Sequence, residues 1–258
     1  MLDCFVKFFT NLLYTLKERD LMATVQVRSV LGLLQAGYDQ EWLIDGFVDV
    51  NQAAWPPPVP SRYLWTREKV RAQFEHCPHL LFVAIINGRI IGTLSVIHIN
   101  QQDAEKTTDW EDVSARGTLS THQPTGNCAF GLDLSVRPDA GEKVGDVLIE
   151  KGILCCVVLD NKKGVFLGSR VPGYAKRASK TSIEEHVFGK NGRTRDPEVR
   201  LYQSAGFRIV KIIPGYMEDP ESLNYGVLMF WENPYYWFTR FIPRLITSTL
   251  ARLLEKWV

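Results

Sequence analysis

One stretch of the chain, residues 127–150, places a strand, a glycine-containing turn and a helix in an order that could bind a phosphate group. Large apolar residues alternate with small or polar ones over residues 130–136, the period of a strand with one buried face. Pro138 ends the strand, the turn contains Gly141, and helical spacing begins at Val144. Free N–H groups and the dipole at a helix start favour an anion. The alternative is an ordinary strand-to-helix turn, since neither the P-loop nor the three-glycine dinucleotide pattern is present.

Composition narrows the class of protein. The chain has 258 residues, 45% of them hydrophobic, which predicts one large domain or one domain with extensions. Its net charge of +1 gives no support for a nucleic-acid partner. The five cysteines are odd in number and lack metal-ligand spacing, so we expect no metal site and a reduced, cytoplasmic compartment.

The order of the predicted elements is β-α-α-β-β, an insert, and then β-α-β-α-β-β, which predicts an α/β fold: a mixed sheet with helices on both faces. Asn87-Gly88 joins two apolar, β-branched runs and predicts a hairpin. Residues 100–126 are polar and are interpreted as an inserted loop. Residues 172–195 are basic and irregular; they could meet an acidic carrier protein or phosphate groups, or be a solvated loop.

Both ends of the chain predict amphipathic helices outside the central domain. Residues 1–22 have apolar positions at helical spacing. Residues 234–258 combine aromatic residues with a basic face, so this helix could dock on the domain or lie at a membrane surface. No apolar run is long enough to cross a membrane. The predicted domain therefore covers residues 23–233.

Three local motifs in this order resemble the GCN5-related N-acetyltransferase (GNAT) superfamily over roughly residues 23–233. They are Val136-Arg-Pro-Asp-Ala-Gly141 before a helix, the Asn-Gly hairpin in Val83–Gly92, and Leu201-Tyr-Gln-Ser-Ala-Gly-Phe207. The resemblance implies a mostly antiparallel sheet that is splayed in the middle.

The resemblance also implies a binding site for acyl-coenzyme A as co-substrate. In that family the central loop holds the pyrophosphate, and the pantetheine arm lies between two splayed strands, here 128–137 and 165–171. By this match the pantetheine would be lined by Leu134, Ser135 and Val136, and the phosphates would be held by Gly141, Glu142, Lys143, Val144, Gly145 and Asp146. Glu142 would place a like charge beside the pyrophosphate, which Lys143 could offset.

Tyr202 is the candidate general acid that the resemblance implies. Many GNAT enzymes carry a tyrosine at this position of Leu-Tyr-x-x-x-Gly-Phe, where it protonates the departing thiolate. The alternative is a tyrosine packed at a helix end. His122, in the insert, could act as general base for an incoming amine, because histidine titrates near neutral pH; otherwise it is a surface histidine.

Three further residues are candidates for contacts with the substrate: Trp55, Asp133 and Arg170. Trp55 could guard the acyl tunnel or could be a core residue. Asp133 could orient an amine or Arg170, or could face solvent.

A narrower resemblance is to the GNAT-like domains of polyketide assembly lines and of carbon–nitrogen hydrolase fusions. It rests on Trp55-Pro, Leu119–Gly126, Gly168–Tyr174, Asp196–Arg200 and Pro214–Asp219. It implies an acyl carrier protein as a partner, or decarboxylation of malonyl-type thioesters. The decarboxylating branch has a histidine where this chain has Tyr202. It also has a threonine near the position of Ser169 and an arginine near the position of Met217. Ser169 is thus a third catalytic candidate, and the missing histidine and arginine favour transfer.

The predicted function is that of an acyltransferase. It would move an acyl group from acyl-CoA or acyl carrier protein to an amine or a carrier thiol by direct attack. The alternatives are a GNAT-like decarboxylase and a non-catalytic fold that binds an acyl carrier or a membrane. The predicted location is cytoplasmic, with possible peripheral membrane contact through residues 235–258.

Overall fold

The computed structural model describes residues 25–141, 143–189 and 192–239. The predicted helix over residues 1–22, Glu142 and most of the predicted C-terminal helix lie outside the described residues. Within the described part of the chain, no helix combines the length and apolar character that a bilayer span requires.

The described chain forms a seven-stranded sheet with helices around it. The strands are β1 Gln26–Ser29, β2 Leu81–Ile86, β3 Arg89–Ile99, β4 Cys128–Val136, β5 Gly164–Arg170, β6 Arg208–Ile213 and β7 Gly226–Glu232. The helices are α1 Val30–Gln35, α2 Gln40–Ala54, α3 Arg67–His76, α4 Gln101–Glu105, α5 Trp110–Val113, α6 Val144–Gly152, α7 Ile183–Phe188, α8 Pro197–Ser204 and α9 Tyr236–Thr239. A π-helix, Ile153–Leu159, continues α6.

The strand order is β1-β2-β3-β4-β5-β7-β6, and every neighbouring pair is antiparallel except β4 with β5. The predicted mixed, mostly antiparallel sheet is therefore confirmed. The β2–β3 hairpin is also confirmed, and both Asn87 and Gly88 have positive φ, at 50° and 75°, as a tight two-residue turn requires.

Two irregularities in strand pairing direct side chains to opposite faces of the sheet. Ala84 pairs with Gly92 and Ile85 with Ile90, so Ile91 is an extra residue in β3. Ile90 therefore contacts Gly46 of α2, whereas Gly92 contacts α6 on the other face. In β4, Leu132 is the extra residue between the pairs Ser95–Asp133 and Val96–Gly131. The Trp110 indole Nε1–H donates to the carbonyl oxygen of Leu132 at 2.9 Å and holds this bulge.

Four short helices lie where the sequence predicted no helix. The insert was predicted to hold no element, but it contains α4 and α5; Asp109 caps α5 by accepting from Asp112 N–H. α7 lies in the segment predicted to be irregular and is capped by Ser182. The fourth is α1, which follows β1 directly: Ser29 ends the strand and caps the helix, because its side chain accepts the N–H of Gly32. Helices this short have too few residues for a clear periodic signal.

Candidate active site

The parallel pair of strands in the middle of the sheet separates soon after it forms. Pairing between β4 and β5 is limited to Ala129–Val165, Phe130–Phe166 and Gly131–Leu167. Beyond these residues β4 runs on to Val136 and β5 to Arg170 without pairing to each other. A cavity of about 330 Å³ occupies the gap. Its position agrees with the predicted splay.

The first turn of α6 lies at the end of β4 that borders this gap. A Cβ built at Gly145 would stand 3.8 Å from Val136 Cγ2 and 4.0 Å from Leu134 Cδ2. Lys143 is the N-cap of α6 and makes no side-chain capping hydrogen bond, whereas Asp39, Thr66 and Asp196 cap α2, α3 and α8. The cap residue itself therefore leaves the N–H groups of this turn unbonded, and a helix start of this kind favours an anion.

Ion pairs hold Arg137, the first residue of the loop between β4 and α6. Arg137 donates from Nη1 to Asp49 Oδ2 at 2.5 Å and from Nε to Asp139 Oδ1 at 3.1 Å. Gly141 has a φ of +88°, a conformation that favours glycine. The approach to the helix start is thus set by α2 and the loop itself.

Asp133 is a buried carboxylate in the cavity wall. Its oxygens accept from Ser135 Oγ at 2.9 and 3.0 Å and from Asn51 Nδ2 at 3.2 Å. The Trp55 indole Nε1–H donates to Ser135 Oγ at 2.9 Å, which joins the end of α2 to the same network. Burial raises the pKa of Asp133 to about 6, and the hydrogen bonds limit the rise.

Arg170 and Tyr202 face the cavity from β5 and α8. The guanidinium of Arg170 pairs with Asp219 at 2.8 Å and Glu221 at 3.1 Å and lies over the Trp55 ring at 5.3 Å. The Tyr202 ring packs edge-on against Phe207, 5.8 Å between centroids. Burial, followed by the charge of Glu198, raises the pKa of the Tyr202 hydroxyl, so it stays protonated at neutral pH.

Comparison with known proteins agrees with this geometry. No protein-family model matches the chain. The chain is 30% identical over 195 residues to an uncharacterized N-acetyltransferase, YkwB, of Bacillus subtilis (strain 168). The matched residues cover 75% of this chain and 86% of that protein. The chain belongs to the GNAT superfamily of acyltransferases. Its seven-stranded, split sheet is a GNAT fold.

Three further comparisons give one partial sequence match and two structural matches. A probable hydrolase, YhcX, of the same organism is 30% identical over 193 residues; these cover 74% of this chain but only 37% of that protein. The GphF GNAT-like decarboxylase in complex with isobutyryl-CoA matches 80% of this chain and 98% of its own at 23% identity, with a TM-score of 0.66. The loading GNATL domain of CurA from Lyngbya majuscula matches 81% and 97% at 19% identity, with a TM-score of 0.65. These two structures share the fold.

The GNAT cavity contains most, but not all, of the residues that the sequence proposed for substrate and catalysis. It is lined by Trp55, Asp133, Leu134, Arg170 and Tyr202, and Ser135 lies directly behind it. The proposed phosphate-binding residues Gly141 and Lys143–Asp146 lie at the start of α6, as expected from the order of elements.

Ser169 and His122 lie away from the cavity. Gly168 and Arg170 of β5 line it, whereas Ser169 between them is fully buried and donates from Oγ to the carbonyl oxygen of Arg170 at 2.9 Å. His122 lies beside His98, near the opposite end of β3 from the start of α6, and its Nδ1 accepts the backbone N–H of His98 at 3.0 Å. Neither side chain is placed to act on a thioester in the gap.

His122 belongs to a histidine cluster that the sequence did not predict. Potential ligand nitrogens of His79, His98 and His122 lie within 4.8 Å of one another, close enough to suggest a metal site. However, His122 Nδ1 already accepts a backbone N–H, and His98 Nε2 lies 3.1 Å from the carbonyl oxygen of Cys156, to which it donates. Burial lowers the pKa of both rings, and the charge of Lys162 lowers it further, after that of His79 in the case of His122. The contacts favour a structural role for neutral imidazoles.

Replacing His122 with asparagine should reduce the loss of stability on acidification. The pKa of His122 is lowered to about 4, first by burial and then by His79, so between pH 6.5 and about 4 the unfolded chain binds a proton that the folded chain excludes. Stability contributed by this group is present above pH 6.5 and falls as the pH falls through that window. Asparagine retains an acceptor for His98 N–H but does not titrate. Between pH 7.5 and 5, the free energy of unfolding measured in urea should fall by about 1 kcal/mol less in the variant than in the wild type, a value discounted for exposure. Equal falls in the two proteins would contradict this prediction.

Several residues of the site were not proposed from the sequence. Glu198 and Tyr216 line the cavity, and Asn51 orients Asp133. Asn51 also accepts the Trp65 backbone N–H at 2.8 Å, which fixes its amide. Glu198 could have been found, because it lies four residues before Tyr202 and so on the same helical face. Asn51 and Tyr216 come from distant segments, and no local pattern marks them.

Proposed function

We propose that the chain transfers an acyl group from acyl-coenzyme A directly to an amine, within a catalytic unit of residues 23–233. The observation that carries this proposal is the cavity between β4 and β5, which opens where pairing stops after Gly131–Leu167 and is lined by Leu134, the β4 residue beside Gly145 in the first turn of α6. A cleft of this shape suits a thin arm ending in a diphosphate. The N-acetyltransferase relative supports the same class of donor.

The donor would lie along β4. The diphosphate would accept hydrogen bonds from the first-turn N–H groups of α6, with Lys143 adding positive charge. The pantetheine arm would pass Leu134, which lines the cavity, and would reach the thioester near Tyr202. Coenzyme A would thus take the place that the missing β4–β5 ladder leaves open.

Direct transfer is supported by the nature of the nucleophiles nearby. Cys156 lines the cavity, but burial raises its pKa well above the usual value, so the thiolate is disfavoured. Ser169 points away from the cavity. An amine that is held beside the thioester needs no covalent enzyme intermediate, because orientation supplies much of the rate. Tyr202 would protonate the departing sulfur.

The charges in the cavity favour an amine over a malonyl-type substrate. Asp133 and Glu198 are acids in the wall, and Arg170 is already paired with Asp219 and Glu221. Among the described residues that line the cavity, a substrate carboxylate would meet like charges, and the one arginine is already paired. Where the decarboxylating branch has an arginine, this cavity has Met217. A cationic amine would instead be attracted.

The proposal is tested by binding and by product analysis. Calorimetry should show acetyl-CoA binding to the intact chain. Mass spectrometry after incubation with acetyl-CoA or malonyl-CoA and a mixture of primary amines should show acylated amine and free coenzyme A. Release of carbon dioxide from malonyl-CoA without any acylated amine would overturn transfer, and absence of acetyl-CoA binding would overturn the proposed donor site.

A further inference from the structure

Glu198 and Tyr202 lie one helical turn apart on α8, and both line the cavity. Glu198 is in the first turn of the helix, where Asp196 accepts its backbone N–H at 3.0 Å. Tyr202 follows four residues later on the same face. A single helix therefore carries a carboxyl group and a phenol toward the same space.

The surroundings of Glu198 are suited to proton exchange near neutral pH. Burial raises the pKa of its carboxyl to about 7; the charge of Arg170 opposes the rise, and those of Asp196 and Asp219 add to it. Tyr202 and Tyr216 line the same cavity, and burial raises the pKa of both hydroxyls; the charge of Glu198 adds to the rise at each, after that of Asp109 at Tyr216. A carboxylate with these neighbours can accept a proton and release it again.

Asp133, the other acid in the cavity wall, is less suited to this role. Its oxygens accept from Ser135 and Asn51, and those partners are held in turn by Trp55 and Trp65. A proton on Asp133 would weaken this network. The position of Asp133 is better explained by holding the end of α2 against β4.

We propose that Glu198 is the catalytic base that takes the proton from the ammonium group of the incoming amine, an inference that rests on the proposed acyl transfer. The neutral nitrogen then attacks the thioester carbon, so that a C–N bond forms and the C–S bond breaks. Tyr202 gives its proton to the leaving sulfur and regains one from the new amide nitrogen. Glu198 releases its proton to water, so each turnover yields one amide, one thiol and one proton.

The test uses two small amines that differ in charge at neutral pH. Ethylamine is almost entirely cationic, whereas 2,2,2-trifluoroethylamine is largely neutral. With saturating acetyl-CoA, E198Q should lower kcat/KM for ethylamine about 10²-fold, within the range of general-base contributions, and for trifluoroethylamine less than about threefold. The residual ethylamine rate of E198Q should rise about tenfold per pH unit, because only amine already deprotonated in solution can react. E184Q, at an exposed glutamate of α7, is the matched control and should behave as wild type.

The outcomes separate this inference from the proposed function. Acetyl-CoA affinity and melting temperature are measured for each variant. An equal loss with both amines, or no loss with either, would overturn Glu198 as the base, whereas wild-type protein that binds acetyl-CoA but acylates neither amine would overturn the transfer on which this inference rests. If acetyl-CoA does not bind, the proposed function itself fails. If E198Q does not fold, Glu198→Ala with added formate is used instead. Formate that restores acylation of ethylamine but not of trifluoroethylamine supports Glu198 as the base, and no restoration contradicts that role.

Discussion

Tyr202→Phe should lower kcat for acyl transfer about 10²-fold while the affinity for acetyl-CoA stays unchanged. The ring of phenylalanine keeps the packing against Phe207, so only the hydroxyl is lost. Because the pKa of Tyr202 is raised by burial and then by Glu198, the hydroxyl remains a proton donor across the neutral range. Without it, sulfur must leave as an unprotonated thiolate.

The measurement is steady-state release of free thiol, with acetyl-CoA binding followed by calorimetry. Tyr235→Phe, a substitution outside the cavity lining, is a matched control that should leave kcat unchanged. An unchanged kcat in Tyr202→Phe would remove this residue from the mechanism. A large loss of acetyl-CoA affinity would instead indicate a role in binding.

Gly145→Glu should weaken acetyl-CoA binding by 10-fold or more, about 1.4 kcal/mol. The nearest atoms to a Cβ at this position are 3.8 and 4.0 Å away, so a Cβ fits there without disturbing β4. A carboxylate in the first turn of α6 interacts favourably with the helix dipole in the free protein, by about 0.3–1 kcal/mol. It would however repel the diphosphate that we expect there.

Gly145→Ala separates charge from volume in this experiment. It should bind acetyl-CoA within about threefold of wild type, and as a better helix former it should not destabilise α6. Equal affinities of the glutamate and alanine variants would place the diphosphate elsewhere. The free glutamate variant should unfold at the same or a slightly higher temperature than wild type.

The sequence was most informative where function depends on local backbone order. The run from Cys128 to Asp146 predicted a strand, a turn and a helix, and β4 and α6 lie there. The Asn87-Gly88 turn fixed the hairpin through a conformation that few residues adopt. These motifs were enough to indicate the GNAT fold, because each depends on residues close in sequence.

Side-chain direction was the part that the sequence could not settle. Ser169 and Arg170 are neighbours on β5, and which of them faces the gap depends on how the strand pairs with β7. The bulge at Leu132 similarly resets which residues of β4 point toward α2, and it depends on Trp110 from the insert. His122 was proposed as a base because it precedes the central strand, but the path of the insert carries it to the histidine cluster.

The short β4–β5 pairing has a consequence for the lifetime of the protein. Backbone groups beyond Gly131 and Leu167 that would bond in a continuous ladder border the cavity instead. A pantetheine arm carries two amides that can substitute for a missing strand, and ligand at 100 times its Kd would add about 2.7 kcal/mol to folding. Deuterium uptake and proteolysis across this seam should therefore slow when thioester is abundant, which would tie survival of the chain to the supply of the proposed donor.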